Sequence, residues 1–333
     1  MIRIQHLSLF LLAGCGVAGS LTLGATSLIP VPGSALTREA VNGERLPGWG
    51  GGAYVEVLND GTPKPDLQAF DISGKQILAA KIDIPNAQFV RVRGVSRGSD
   101  GSTAVCGFFV YDDGHKRAFF TLVDAEGKTH RVIETDPYIP YRIALSPDGT
   151  IWTVGNLTAR QLVRQGTSDP DPKGAAIRHF DKDGKLLASF GPPAGGPERL
   201  RNDMGFLAAC HDRVGWVATG EPFIGKPRRA SYLEIRSDGT TKEYYLPDEV
   251  RQGAQKLRGF ALTEAGGVFV TIVAPGGKEE MFELDRQTDS WSLVNLPGIP
   301  SLAGSFLYGA SGNTLAIWAP DSPRIRFFQV ASK

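Results

Sequence analysis

Short apolar runs alternate with polar turn residues along most of this chain, and one such pattern recurs five times. Each copy is a strand-like run that ends in an apolar residue and continues into a tight turn. The copies are Phe70–Lys75, Val123–Lys128, Phe180–Lys185, Ile235–Thr240 and, more loosely, Leu284–Asp289. Equivalent turn positions are 53, 57, 55 and 49 residues apart. Steps of this size suit one four-stranded β unit with its loops, so the chain is predicted to be an internal repeat.

A second turn pattern precedes the first in each unit. Its clearest copy is Ser146–Val154, and a related copy lies at Ser99–Val105. Weaker copies lie at His211–Val217, Glu264–Val270 and Ser311–Ile317. Asp-Gly or a Gly pair between two apolar runs predicts a β-hairpin, because Gly, Asn and Asp tolerate the positive φ of hairpin turns. Each unit therefore carries two hairpins and four antiparallel strands.

The two patterns together divide the chain into six units. Four are complete, at residues 91–135, 142–192, 204–247 and 258–297, and partial units precede and follow them. We expect an all-β, six-bladed β-propeller of four-stranded antiparallel blades over residues 53–333. The last unit lacks a fourth strand, and Ala35–Val41 is the candidate to supply it and close the ring.

The phrases at Ser146–Val154 and Phe180–Lys185 carry a resemblance to known proteins. With them, the chain after residue 50 resembles six-bladed β-propellers of the NHL-repeat and TolB-like kind. Such propellers include scaffolds, ligand binders, lactonases and lyases. The resemblance therefore implies an architecture and leaves the activity open.

The N-terminal segment differs from the repeats. Residues 7–31 contain no charged side chain and follow Arg3, as in an export signal. We assign residues 1–35 to an export signal or membrane anchor and residues 36–52 to a linker. Residues 12–15 resemble the lipobox of bacterial lipoproteins, which implies a lipid on Cys15. Cleavage after Ala25 or Ala35 and an uncleaved anchor stay open.

Every one of these alternatives predicts a protein of the cell envelope, on the periplasmic or outer-surface side. A lipid on Cys15 or an uncleaved anchor also predicts membrane contact, through the N-terminus only. The balance of 36 basic and 35 acidic residues gives a formal net charge of +1. No nucleic-acid partner is expected at such a charge. Cys106 and Cys210 fall in units that are not neighbours, so both are predicted to be free thiols.

Three arginines supply the candidate site. Alignment of the units on their turns places Arg93, Arg142 and Arg258 at one equivalent position, with Met204 and Gly304 in two other units. First strands of a propeller begin at one mouth of the central channel, where three guanidinium groups favour a carboxylate or phosphate. The alternative is that each arginine pairs with a local carboxylate or with solvent.

We therefore predict a binding module, without a cofactor, for a protein partner or a small anionic ligand. In this interpretation Arg258→Ala removes anion-dependent stabilisation and leaves the unliganded fold intact. The long connections are expected to crowd one sector of one face, where binding is commonly placed. They are residues 155–176, 190–204, 219–230 and 246–258.

The second hypothesis is a metal-dependent enzyme. A resemblance to calcium-dependent six-bladed lactonases implies carboxylate and amide oxygens at the channel mouth. Only Asn202 and Asp203 lie naturally there, with Asn156 and Glu198 near by, so this alternative is a calcium-type hydrolase or lactonase with unassigned catalytic residues. The Gly-x-Ser-x-Gly pattern at residues 94–98 leads into a hairpin, whereas a serine hydrolase elbow leads into a helix. It is therefore not predicted to be catalytic.

Overall fold

The computed structural model describes residues 26–33, 36, 44–157, 175–190, 205–218, 230–247, 257–273, 277–299, 302, 304–319 and 324–331. Every helix or strand in these ranges is a β-strand, beginning with β1 (Leu28–Pro30). The same ranges hold no helix that is long and apolar enough to span a bilayer. The prediction of an all-β chain is thus confirmed over the described residues.

Four sheets are separate, four-stranded and antiparallel, each with its strands in chain order. The first contains β2 (Glu44–Gly50), β3 (Ala53–Asn59), β4 (Asp66–Phe70) and β5 (Gln76–Lys81). The second contains β6 (Ala87–Arg97), β7 (Thr103–Tyr111), β8 (Lys116–Val123) and β9 (Ile133–Glu134). The third contains β10 (Tyr138–Leu145), β11 (Ile151–Leu157), β12 (Ala175–Phe180) and β13 (Leu186–Phe190). The fourth contains β14 (Phe206–Ala209), β15 (Arg213–Ala218), β16 (Ser231–Arg236) and β17 (Thr241–Tyr245).

The remaining strands form one eight-stranded sheet in the order β1-β24-β23-β22-β18-β19-β20-β21. Their bounds are β18 (Leu257–Leu262), β19 (Val268–Val273), β20 (Glu279–Asp285), β21 (Ser290–Leu293), β22 (Phe306–Ser311), β23 (Thr314–Trp318) and β24 (Ile325–Val330). Two antiparallel groups of four are joined by a parallel pairing of β18 with β22 at Gly259 and Leu307.

This joint corrects the expectation of six separate sheets. A Cβ on Gly259 would lie 2.1 Å from the carbonyl oxygen of Leu307. Because glycine has no Cβ, the two backbones can approach to hydrogen-bonding distance across what would otherwise be the gap between two blades. The described residues thus form a propeller of four-stranded antiparallel blades in which one neighbouring pair of units is fused.

The first strand of each unit faces a common axis. These inner strands contact one another in the order β2, β6, β10, β14, β18 and β22, and β22 contacts β2. Apolar residues fill the spaces between neighbouring units; for example, Trp152 of β11 packs in one cluster with Trp216 of β15. Aromatic side chains of second strands pack in these spaces: Tyr54, Trp152, Trp216 and Phe269 are buried and Trp318 is partly buried.

The hairpin turns follow the predicted chemistry. In the first unit, Oδ1 of Asp71 accepts hydrogen bonds from the backbone N–H groups of Ser73 and Lys75, at 2.9 and 3.0 Å. Gly74 follows with a φ of +83°. Side-chain capping of this kind, with glycine in the left-handed region, fixes the turn locally. The repeat can be recognised in the sequence because each turn is determined by residues that are close together in the chain.

Two strands lie ahead of residue 53, where the propeller was expected to begin. β2 falls in the segment assigned to the linker, and its glycines allow close packing: a Cβ on Gly50 would lie 2.4 Å from the Arg97 carbonyl oxygen. β1 falls in the segment assigned to the export signal and supplies the fourth strand of the last unit by pairing with β24. Apart from Leu36, the expected closing segment Ala35–Val41 lies outside the described residues.

Candidate functional site

A cavity of about 370 Å³ lies on the axis of the ring, among the inner strands. Each of the strands β2, β6, β10, β14, β18 and β22 contributes to its wall. Arg93, Arg142 and Arg258 all line this cavity. We call it the channel.

Irregular pairing of the inner strands sets the position of these side chains. The register shifts between Val92 and Gly94 and between Leu257 and Gly259, so Arg93 and Arg258 are the extra residues of β-bulges. A bulge bends the strand and redirects the side chain at that point. Arg93 and Arg258 are thus equivalent, as the sequence suggested.

The bulges also revise the alignment in two other units. In β10 the extra residue is Tyr141, and Arg142 follows it. In β22 the extra residue is Tyr308, whereas the position inferred from the turns, Gly304, lies before that strand. Tyr308 lines the channel and was missed. Its signal is the glycine that follows it, since Arg93, Arg258 and Tyr308 each precede a glycine.

Arg258 is held by a carboxylate of its own unit. Its Nε lies 2.9 Å from Oε1 of Glu279, whose side chain is only 3% exposed. The other carboxylate oxygen of Glu279 accepts a hydrogen bond from the backbone N–H of Ser305 at 2.8 Å. The guanidinium also lies 5.4 Å from the centre of the Phe306 ring. For Arg258, the alternative of a local carboxylate partner is therefore the observed state.

Arg142 donates to backbone carbonyl groups of its neighbours. Its Nε lies 2.7 Å from the carbonyl oxygen of Gly205, and Nη1 lies 3.0 Å from that of Tyr141 and 3.5 Å from that of Arg93. The side chain thereby connects β6, β10 and the residue that directly precedes β14. It contributes to the positive charge along the channel and to the spacing of the ring.

Arg93 has a different environment. Its guanidinium lies near two aromatic rings, 5.6 Å from the centre of the Phe108 ring and 5.8 Å from the centre of the Tyr141 ring. Its Nε is buried and has no hydrogen-bond acceptor among the described residues. Within the same residues no carboxylate lies at ion-pair distance from Arg93.

Lys116 adds a second cation to the same ring. Its Nζ lies 3.6 Å from the centre of Phe108. Partial burial, followed by repulsion from Arg93, lowers the pKa of Lys116. The quadrupole of the Phe108 ring stabilises each of the two cations, but the two positive charges also repel each other. Asp136 acts on Lys116 in the opposite direction and raises its pKa. Arg93 and Lys116 thus form a pair of cations beside the channel, with one carboxylate near Lys116.

The Gly-x-Ser-x-Gly pattern leads into a hairpin, as expected. Ser96 lies within β6, and its Oγ accepts a hydrogen bond from the backbone N–H of Leu145 at 3.1 Å. The strand then enters the hairpin at residues 98–102, where Gly98 N–H donates to the Ser102 carbonyl. Ser96 thus ties two inner strands together.

Several predicted residues lie outside the described ranges. They are Cys15, Asn202, Asp203, Met204 and Glu198, together with most of the four long connections. Among the described residues, no three His, Cys, Asp or Glu side chains are grouped to hold a metal ion. Among the described residues that line the channel, Glu264 supplies a carboxylate.

The cysteine prediction is confirmed, since Cys106 and Cys210 are both free and buried. Burial raises the pKa of Cys106 far above its usual range, although the charge of Arg142 opposes this. Burial also raises the pKa of Cys210 to about 11. Neither thiol is in a state suited to nucleophilic attack at neutral pH.

Comparison with known proteins gives only distant similarities. No model of a known protein family matches the chain, and no curated protein matches it. Among solved structures, it is similar to a Synechocystis apocarotenoid oxygenase mutant, with 13% identity, a TM-score of 0.44 and coverage of 73% of this chain and 61% of the oxygenase. The Pseudomonas brassicacearum lignostilbene dioxygenase has 12% identity, a TM-score of 0.44 and coverage of 72% and 60%.

A third similar structure is a protein of unknown function from Bacteroides caccae, at 11% identity and a TM-score of 0.43. The match covers 79% of this chain and 90% of that one. The chain spans less than two thirds of the two oxygenases. At these TM-scores the comparisons carry no argument about activity, and the site must be interpreted from its own residues.

Proposed function

We propose that this protein is an exported, membrane-tethered six-bladed propeller that binds a small organic anion in its channel. The blade count follows if the eight-stranded sheet is taken as two fused blades, because six inner strands then surround the axis. Export and tethering rest on the uncharged residues 7–25, ahead of the segment that contains β1, and on Cys15.

The observation that carries the binding proposal is the environment of Arg93. A guanidinium has five N–H donors and remains charged at all physiological pH values. A buried donor without an acceptor costs roughly 1–3 kcal/mol, and more when the group is charged. A carboxylate or phosphate beside Arg93 would supply acceptors for its donors and a counter-charge for Arg93 and Lys116.

The size and lining of the channel favour a small ligand over a protein segment. A volume of about 370 Å³ lies at the lower end of the range of roughly 300–1,000 Å³ that is usual for small-molecule sites. Phe206, Phe306 and Tyr308 provide apolar surface in the same wall. We therefore propose a ligand with one anionic group and an apolar or aromatic body.

The test is ligand-dependent thermal stability of the full chain. The panel contains aromatic and aliphatic carboxylates, their uncharged amides, inorganic phosphate and calcium. A ligand at 100 times its dissociation constant stabilises the folded state by about 2.7 kcal/mol. We expect an aromatic carboxylate to raise the melting temperature and its amide to leave it unchanged.

Two variants test whether the stabilising carboxylate binds beside Arg93. Arg93→Gln removes a channel guanidinium that has no carboxylate at ion-pair distance among the described residues, and it should abolish the response to the carboxylate. Arg91→Gln is the matched control, because Arg91 lies two residues away in β6 and pairs with Glu44. It should respond like the parent.

An equal response in Arg93→Gln and the parent would overturn the site, and a panel without any active anion would overturn the ligand class. Stabilisation by calcium alone would favour the alternative at Asn202 and Asp203.

A further inference from the structure

The strand that completes the last unit comes from the N-terminal segment. β1 pairs with β24 through Leu28 and Val330, Ile29 and Gln329, and Pro30 and Phe328. Backbone hydrogen bonds continue the pairing on both sides: Val31 N–H donates to the Phe327 carbonyl at 2.9 Å, and Ala331 N–H donates to the Ser27 carbonyl at 3.0 Å. Residues 27–31 therefore form a continuous part of the sheet.

Side chains of the same segment are buried in the core. Leu28 is 5% exposed and packs in the cluster that contains Leu307, Leu315 and Phe328. The Thr26 hydroxyl donates a buried hydrogen bond of 2.6 Å to Oε1 of Glu283, in β20. Because Thr26 contacts one half of the fused sheet and Leu28 the other, the segment links the two units.

We infer that residues 26–33 belong to the mature, folded protein, and that any cleavage of the N-terminal segment lies ahead of Thr26. The sequence offers small residues at Ala25 and Ala35 as cleavage positions. A cut after Ala35 would remove β1 and expose the backbone edge of β24 together with part of an apolar cluster. Exposed strand edges of this kind are prone to pair with other chains.

Leu36 cannot take over this role from the cut chain. Its carbonyl accepts a hydrogen bond of 2.9 Å from Ile325 N–H, at the opposite end of β24 from Val330. The pairing partners of Phe328, Gln329 and Val330 would be absent. A cut ahead of Thr26 preserves all the described contacts of the segment.

The first test is the N-terminus of the protein made with its own leader in a bacterial host, determined by intact mass and N-terminal sequencing. A mature chain that begins at Thr26 or earlier, including one that is uncleaved, agrees with the inference. A functional, soluble or membrane-bound chain that begins at Leu36 overturns it. This result does not depend on whether the channel binds an anion.

The second test concerns the strand itself and uses the full chain. Leu28→Asp places a carboxylate in the core cluster and should lower the melting temperature by about 5 °C or more. Ile29→Asp is the matched control, since Ile29 is the next residue of β1 and is 54% exposed. It should melt within about 2 °C of the parent. Equal melting of the two variants would show that β1 is not part of the folded sheet.

A third experiment covers the case in which Leu28→Asp does not fold. Leu28→Ala, a smaller perturbation, is compared with Ile29→Ala. We expect Leu28→Ala to lower the melting temperature of the full chain more than Ile29→Ala does, because Leu28 is 5% exposed and Ile29 is 54% exposed. Equal melting temperatures of these two variants would overturn the inference.

Discussion

Arg258→Ala should destabilise the unliganded protein, because this arginine neutralises a buried carboxylate. The side chain of Glu279 is 3% exposed, and its Oε1 lies 2.9 Å from Arg258 Nε. After the substitution Glu279 keeps one described hydrogen bond, from Ser305 N–H. Removal of one partner from a buried ion pair costs about 3–5 kcal/mol. Arg258 is 29% exposed, so water can reach the vacated position, and we expect a loss of about 2–4 kcal/mol.

The assay is urea-induced unfolding of the parent, the two single variants and the double variant. Glu279→Gln in the Arg258→Ala background should recover part of the loss, because a neutral amide is less costly to bury than a carboxylate. The double-mutant cycle then gives a coupling energy of at least about 1 kcal/mol. Lys64→Ala is the control, since Lys64 and Asp83 form a pair that is 52% and 54% exposed. Its effect should stay below about 1 kcal/mol.

A free energy of unfolding for Arg258→Ala within about 0.5 kcal/mol of the parent, at an unchanged urea dependence, would contradict this prediction, since that is the range of an uncoupled surface site. A cycle without coupling between Arg258 and Glu279 would contradict it as well. Either result would mean that the pair with Glu279 contributes little to the stability of the unliganded protein.

Two further predictions concern titratable groups. Iodoacetamide at pH 8 should leave Cys106 and Cys210 unmodified in the native protein, because burial raises both thiol pKa values, that of Cys210 to about 11. Both thiols should be labelled after unfolding without reductant. A disulfide-linked pair of peptides would contradict this prediction. Hydrogen bonding from Arg213 lowers the pKa of Asp212 from 3.8 to about 2. The contribution of Asp212 to the free energy of unfolding is therefore present above about pH 4 and is lost as the pH falls through about 2. Asp212→Asn should reduce the pH dependence of the free energy of unfolding, measured with urea, in this range.

The sequence predicted the hairpins well because their determinants are local. The Asp71 turn depends on residues within five positions of one another, and the unit boundaries follow from such turns. The sequence assigns β2 to the linker because Gly48 and Gly50 interrupt any apolar pattern there. Their role is to allow the approach of another strand, as with the Arg97 carbonyl, and nothing local to them encodes that contact.

The candidate site was predicted in part for the same reason. Arg93 and Arg258 were found by counting from turns in which Arg97 pairs with Thr103 and Leu262 with Val268. The turn after β22 is shorter, because Ser311 pairs with Thr314, and the same count therefore missed Tyr308. The partners of the arginines come from other strands. Glu279 is separated from Arg258 by 21 residues, and Phe108 lies on the strand after Arg93. Which arginine is neutralised and which is not could be decided only from these pairings.

The hydrogen bond between Ala331 and Ser27 has a consequence for the order of the chain. It brings the first and last described strands of the propeller side by side, antiparallel and at the edge of one sheet. A short peptide could connect residue 331 to residue 26 without moving either strand, and the chain could then be opened at an exposed turn such as the one at Gly74. Tolerance of circular permutation is expected where termini are adjacent and the new break is in a surface turn. The ring, in other words, has no obligatory first blade.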